Sequence, residues 1–208
     1  MQNLVLKKYK ETLFLNDNQI SILVGSILGD GTLQIGKEGK NANFKTEHGL
    51  KQKEYVWWKY NYFLNWVKTP PKISYRYQND GTRYAKSYWF RTIRHPQLTF
   101  FRKLFYPEGK KIIPSDIRTY FNPLCLAVWI MDDGSYNDKI IDISTYSFKL
   151  TNINLLVDSI YYLYGIKSKY FQDRDKGYRM YFSRTETKKL AKIISPYIIP
   201  LMSYKLPK

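Results

Sequence analysis

The sequence predicts an α+β fold built from two pseudo-symmetric copies of an αββαββα unit. Three observations carry this. The first is a pair of apolar runs that each end in an acid followed by glycine: Leu23-Val24-Gly25-Ser26-Ile27-Leu28-Gly29-Asp30-Gly31 and Leu126-Ala127-Val128-Trp129-Ile130-Met131-Asp132-Asp133-Gly134. An acid at the end of a buried run is costly unless it reaches a surface or binds a cation. The recurrence, with Asp133 standing 103 residues (133 − 30) after Asp30, therefore marks a duplicated unit with one acid per copy. The second observation is that the same order of helical and alternating stretches follows each run. The third is that equivalent points keep step: Thr46 matches Thr145 at an offset of 99, and Gln78 matches Gln172 at an offset of 94. Offsets that shrink steadily are what shorter loops in the second copy would give.

Residues 1–17 are basic and mixed, and read as an arm or short helix. Asn16-Asp17-Asn18 supplies N-cap residues for a helix over Gln19 to Gly29, whose Gly25, Ser26 and Gly29 would let another helix backbone come close. Thr32–Gly36 and Asn41–Thr46 alternate as a hairpin around Lys37-Glu38-Gly39-Lys40. Residues 50–67 have helical spacing of Tyr55, Trp58, Tyr62 and Trp66, stopped by Pro70-Pro71. Lys72–Gln78 alternates, with Ile73, Tyr75 and Tyr77 on one face. It turns at Asn79-Asp80-Gly81 and returns over Tyr84–Ile93; Pro96–Leu104 is a short helix. The second copy repeats this: a helix over Pro123–Met131, a hairpin within 135–145 and a helix over Thr151–Tyr164. A hairpin of Lys167–Gln172 with Tyr178–Thr185 follows, then a helix over Thr187–Ile194 and a closing Lys205-Leu206-Pro207. The organisation is an arm (1–17), a first repeat (18–114) and a second repeat (115–208).

With 208 residues the chain can bury a substantial core. Its 34 Lys and Arg outweigh 17 Asp and Glu, a net charge of +17 spread along the chain, so an anionic partner is expected, nucleic acid above all. The 20 Tyr offer packing area and hydroxyls for phosphate or base contacts. The single cysteine, Cys125, excludes an internal disulfide and a cysteine-based zinc site, and its apolar surroundings make it a small core residue. No apolar stretch reaches the length of a membrane span, and the N-terminus lacks a signal-peptide core.

Both acid-ended runs resemble the LAGLIDADG motif of homing endonucleases, with Asp30 and Asp133 in the place of the motif's last acid. Pro200-Leu201-Met202-Ser203-Tyr204-Lys205-Leu206-Pro207 is similar to the C-terminal end of the single-chain, two-repeat (I-SceI-like) branch. The resemblance spans about residues 18–207. It implies saddle-shaped antiparallel sheets that bind double-stranded DNA, and Mg²⁺-dependent cleavage of both strands with Mn²⁺ able to substitute. It also implies short 3′ overhangs, one strand assigned mainly to each half, and a monomer. Two carboxylates held close at the helix tips would repel unless hard divalent ions intervened, and such ions activate water and stabilise a leaving oxygen. Asp132 points about 100° away from Asp133 on a helix and reads as a capping or solvated residue; Gly29 holds its place in the first copy. Gly29 and Asp132 are counted with Asp30 and Asp133 as candidate metal-site positions. Lys111 and Lys205 match basic residues near the family's active sites, with Lys110 an alternative to Lys111; they would stabilise charge on phosphate or position the attacking water.

The hairpins supply candidate DNA contacts: Gln34, Asn43, Lys45, Arg76, Gln78, Arg83, Lys86 and Arg91 in the first half. In the second half they are Asn137, Lys139, Lys167, Lys169, Gln172, Arg174 and Arg179. Arg and Gln suit base edges, and Lys suits the backbone. The unequal halves imply a long asymmetric target. Some members of the family are maturases that bind host intron RNA, and a silent DNA-binding regulator would use the same fold; paired acids favour the nuclease. Family habit and AT-rich composition point to an organelle, mitochondrion or chloroplast, although Met1–Tyr9 lacks the Arg/Ser-rich run of a transit peptide.

Overall fold

The computed structural model describes residues 2–36 and 39–207. Met1, Lys208 and the Lys37–Glu38 part of the first expected turn lie outside the described residues. The chain divides into two compact units: Met1–Ile20 with Gly31–Arg102, and Ser21–Asp30 with Lys103–Lys208.

The first unit opens with helix α1 (Gln2–Glu11), followed by the start of α2 (Asp17–Leu28). A reciprocal cap starts α2: Asn16 Oδ1 accepts from the Gln19 N–H (2.9 Å) and Gln19 Oε1 from the Asn16 N–H (3.0 Å). Strands β1 (Thr32–Ile35), β2 (Ala42–Gly49), β3 (Lys72–Tyr77) and β4 (Arg83–Arg91) form an antiparallel sheet in the order β1-β2-β4-β3. Helix α3 (Lys53–Tyr62) packs on β2 and β4, and α4 (Pro96–Phe105) follows. The core is aromatic: Phe44, Phe63 and Phe90 touch one another at centroid distances of 5.4 to 6.4 Å over buried Tyr55, Val56 and Trp66.

The helix expected over 50–67 is shorter. Phe63 leaves α-helical geometry (φ −108°, ψ 19°), and only tight turns at Leu50–Gln52 and Leu64–Trp66 flank α3. The second hairpin differs more. Ser74 opposes Ser87 but Tyr75 opposes Ala85, so Lys86 is an extra residue, a β-bulge that turns the rest of β4 over. The expected apolar face of Lys72–Gln78 is also not a core face at its outer end, where Tyr77 is 71 % exposed.

The second unit repeats the plan. It contains α5 (Pro123–Asp133), β5 (Gly134–Asn137), β6 (Ile140–Ser144), α6 (Leu150–Tyr164), β7 (Ser168–Gln172), β8 (Tyr178–Phe182) and α7 (Arg184–Ile194). Its sheet has the corresponding order β5-β6-β8-β7. Ile141, Ile143, Met180 and Phe182 of the sheet are buried together with Leu156 and Ile160 of α6 and Leu190 and Ile194 of α7, and α7 packs on β6 and β8. Helix α6 ends on Gly165 at φ 63°, the left-handed cap that glycine takes at least cost. Helix α7 starts three residues before its expected position, because Ser183 Oγ accepts from the Glu186 N–H (3.4 Å). Helix α5 runs on through Asp133, and β5 begins at once. A Cβ on Gly134 would meet Ile130 O at 2.6 Å, so only glycine makes this corner.

Candidate active site

Within the second unit, residues Ser21–Asp30 of α2 lie along α5. The contact is laid down by small residues. A Cβ on Gly25 would stand 2.5 Å from the Cys125 carbonyl oxygen and 2.8 Å from Val128 Cβ, and one on Gly29 would overlap Asp132. Asn122 ties the two starts together: Oδ1 caps α5 by accepting from the Cys125 N–H (2.9 Å), and Nδ2 donates to Ser21 Oγ (2.5 Å). The two apolar runs thus end side by side.

Both ends are closed in the same way. The last carbonyls of a helix have no partner within it, and a cation there is favoured. Lys111 Nζ donates to Leu28 O (3.0 Å) and Gly29 O (3.2 Å) at the end of α2. Lys205 Nζ, in a residue only 5 % exposed, donates to Ile130 O (3.1 Å), Met131 O and Asp132 O (3.3 Å) at the end of α5. Lys110 is exposed. Each lysine comes from the end of the repeat whose first helix it caps.

Three carboxylates meet at these ends. Asp132 Oδ2 accepts from the Asp30 backbone N–H (3.2 Å), and a carboxylate oxygen of each lies within 4.8 Å of the other. Asp30 is exposed, and Asp132 and Asp133 are half-buried. Burial, then the charges of Asp30 and Asp132, push the Asp133 carboxyl up to about 7 against the pull of Lys111 and Lys205. Burial lowers Lys111, opposed by Asp133, Asp132 and Asp30. Crowded acids that cannot all ionise, set among hard oxygen donors, fit a divalent cation such as Mg²⁺. Gly29 offers only its backbone oxygen, which Lys111 already occupies.

The remaining sequence-predicted positions lie on the strands of the two sheets or in the turns beside them. In the first sheet Gln34 pairs across from Asn43, and Lys45 from Arg91. Lys45 reaches Glu47 (2.7 Å) and lies 5.3 Å over the Trp89 ring; Lys86, on the bulge, approaches Glu47 at 3.6 Å. Burial alone would raise Glu47, but hydrogen bonds from Lys45 and Ser87 and the charges of Lys45 and Lys86 hold it below the usual carboxylate range. Arg76 and Gln78 are exposed. Arg83 stacks on Tyr75 (3.6 Å), its partner face changed by the bulge. Asn43 is buried.

In the second sheet Asn137 is exposed, and Lys139 sits in the β5–β6 turn at φ 68°. Lys167 and Lys169 are exposed. Gln172 is exposed opposite Tyr178, and Arg174 is at φ 50° in the following turn. Arg179 is engaged: it donates to Asp142, to Ser135 Oγ (3.1 Å) and to Tyr146 OH (2.9 Å), and Tyr146 OH donates to Asp173. Sequence reasoning missed this network and Glu47, because both depend on which residues the register sets opposite one another.

A family model described as LAGLIDADG DNA endonuclease family matches residues 20–190. The chain belongs to the LAGLIDADG DNA endonuclease family. It is 32 % identical over 196 residues to the cytochrome b mRNA maturase bI2 of Debaryomyces hansenii, covering 92 % of this chain and 74 % of that protein. It is 27 % identical over 208 residues to the DNA endonuclease I-ChuI of Chlamydomonas applanata, covering 92 % and 95 %. Among solved structures, the homing endonuclease I-WcaI bound to its DNA recognition sequence superposes with a TM-score of 0.88 at 26 % identity, covering 97 % of this chain and 92 % of that one. The two four-stranded sheets, one per repeat, are those of LAGLIDADG structures. Among the described residues no helix is long and apolar enough to cross a membrane.

Proposed function

We propose that this chain is a homing endonuclease that makes a metal-dependent double-strand break in a long asymmetric DNA site, leaving short 3′ overhangs. The observation that carries the reading is the pair of lysine-capped helix ends crowding Asp30, Asp132 and Asp133 together, with the Asp133 carboxyl raised to about 7. Asp30 and Asp133 would hold a divalent cation, Mg²⁺ with Mn²⁺ able to substitute. Bound there, it supplies an activated water and charge stabilisation at the leaving oxygen. Asp132 fixes the backbone under Asp30. Lys111 and Lys205 hold the two helix ends in place and put positive charge beside a scissile phosphate. The sheets' polar faces read and grip DNA, and one chain holding both acids cuts both strands as a monomer.

The maturase relatives at 32 % identity favour a second reading, in which the same basic faces bind host intron RNA. The cytochrome b maturases among the relatives also support an organellar setting.

Cleavage separates the readings. A plasmid carrying the uninterrupted host gene is incubated with the protein and Mg²⁺ or Ca²⁺, alongside Asp30→Asn and Asp133→Asn. We expect one Mg²⁺-dependent double-strand cut and none with Ca²⁺. Each variant should lose about 100-fold or more, or only nick, since each removes several kcal/mol of transition-state stabilisation. No cut, together with tight binding to the intron RNA, would make the chain a maturase.

A further inference from the structure

The first unit contains a basic cavity that the paired acids do not use. It has a volume of about 450 Å³ and lies on the polar side of the first sheet, where Asn43, Trp89 and Arg91 form part of its lining. Helix α1 closes one side with Leu6 and Lys10. That helix is fastened: Tyr9 OH donates to Asn65 O (2.6 Å), and His95 Nε2 donates to Lys10 O (3.0 Å). The segment before β3 brings Lys68 and Lys72, and the residues after β4 bring Arg94. Arg94 is packed against Gly36, where a Cβ would overlap its guanidinium.

Five cations from three separate stretches therefore converge on one concavity, and among the described residues no acid lines it. On a merely solvated surface such side chains would spread apart. Converging in a concave site they concentrate positive potential, which an anion relieves. A second observation specifies the anion further. Asn43 is 5 % exposed, and among the described residues its Oδ1 has no hydrogen-bond partner. A buried acceptor left without a donor costs about 1–3 kcal/mol. An occupant bearing both negative charge and an N–H donor would satisfy the site, and the Trp89 ring offers a surface for a planar group. The volume is within the range of small-molecule sites.

We propose that this cavity seats one phosphodiester of a nucleic-acid strand, with an amino group of the adjoining base meeting Asn43 and the base against Trp89. The inference rests on the nucleic-acid-binding part of the proposed function and deepens it. Helix α1 then acts as a wall that turns part of a flat, base-reading sheet into an anchor for the strand's backbone.

The test begins with the unaltered chain. The indole N–H of Trp89, assigned with Trp89→Phe, is followed by NMR while inorganic phosphate, dCMP or deoxycytidine is added. Phosphate and dCMP should shift it, dCMP further because the cytosine amino group can meet Asn43, and deoxycytidine should leave it in place. The triple variant Lys10→Ala, Lys68→Ala, Arg94→Ala, checked for fold by circular dichroism and melting temperature, should lose at least tenfold in dCMP affinity. In binding to a 25-base-pair duplex it should reduce the slope of log K against log salt by about one unit, the loss of one phosphate contact. No anion-dependent shift at Trp89 would overturn the proposal. A shift with an unchanged salt slope would also overturn it, since the cavity would then take free nucleotides and not a strand. Cleavage by the unaltered chain is read separately. Absent cutting with a reduced slope in the triple variant would remove the endonuclease and leave the anchor; cutting with an unchanged slope would do the reverse.

Discussion

Asp133 carries a pH dependence whose sign follows from its environment. Its carboxyl is raised to about 7 in the folded chain from an ordinary value of 3.8, so the unfolded chain ionises first as pH rises. Folding is penalised from about pH 4 upward, and the penalty is complete above about pH 7. In metal-free buffer Asp133→Asn should therefore raise the melting temperature clearly at pH 8 and hardly at pH 4; an equal effect at both pH values would show that the carboxyl is not crowded. Added Mg²⁺ should narrow the gap at pH 8, because a bound cation relieves the same repulsion. Lys205 is the opposite case, a charge that the fold needs. Lys205→Met fills nearly the same space but leaves the carbonyls of Ile130, Met131 and Asp132 without their donor. We expect a loss of about 3 kcal/mol in urea unfolding; a loss below about 0.5 kcal/mol would mean that water replaces the ammonium.

Among the elements, α2 and α5 set the tightest tolerance. Gly25→Ala places a methyl against the Cys125 backbone oxygen, an atom that cannot rotate away, and should cost about 1–3 kcal/mol. Gly49→Ala, with open space around it, should stay within about 0.5 kcal/mol and serves as the control for calorimetry. These helices were legible in the sequence because an acid closing an apolar run, with small residues at helical intervals, is a local pattern. Both sheets were legible for the same reason: alternation with a period of two needs no knowledge of the partner strand. The start of α7 was equally open to inspection, in the Ser183-Arg184-Thr185-Glu186 spacing of a cap. Other features had no local signal. The bulge at Lys86 changes which face Arg83 joins without altering the composition around it. The engagement of Arg179 by Asp142 follows from Ser144 pairing with Arg179 across β6 and β8, which only the assembled sheet fixes. Likewise the crowding of Asp132 with Asp30 depends on how far Gly29 lets the helices approach.

For the molecule as a whole, the net charge of +17 sets how binding responds to ions. If both polar faces and the α1 cavity engage phosphates, six or more contacts release counterions. Affinity for duplex DNA should then fall about 1,000-fold or more between 50 and 200 mM salt. Fluorescence anisotropy on a labelled duplex reads this directly, and a fall below about tenfold would mean that the charge serves something other than strand binding. The way α2 is shared between the compact units also constrains how such a chain can be re-engineered. Residues Ser21–Asp30 belong to the first repeat by sequence but group with Lys103–Lys208 by contact. A gene cut at the repeat junction would not yield two interchangeable modules, since the second half would leave behind the helix against which α5 is moulded. Chimaeras that trade target specificity between relatives should therefore exchange sheets while inheriting α2 and α5 from one parent.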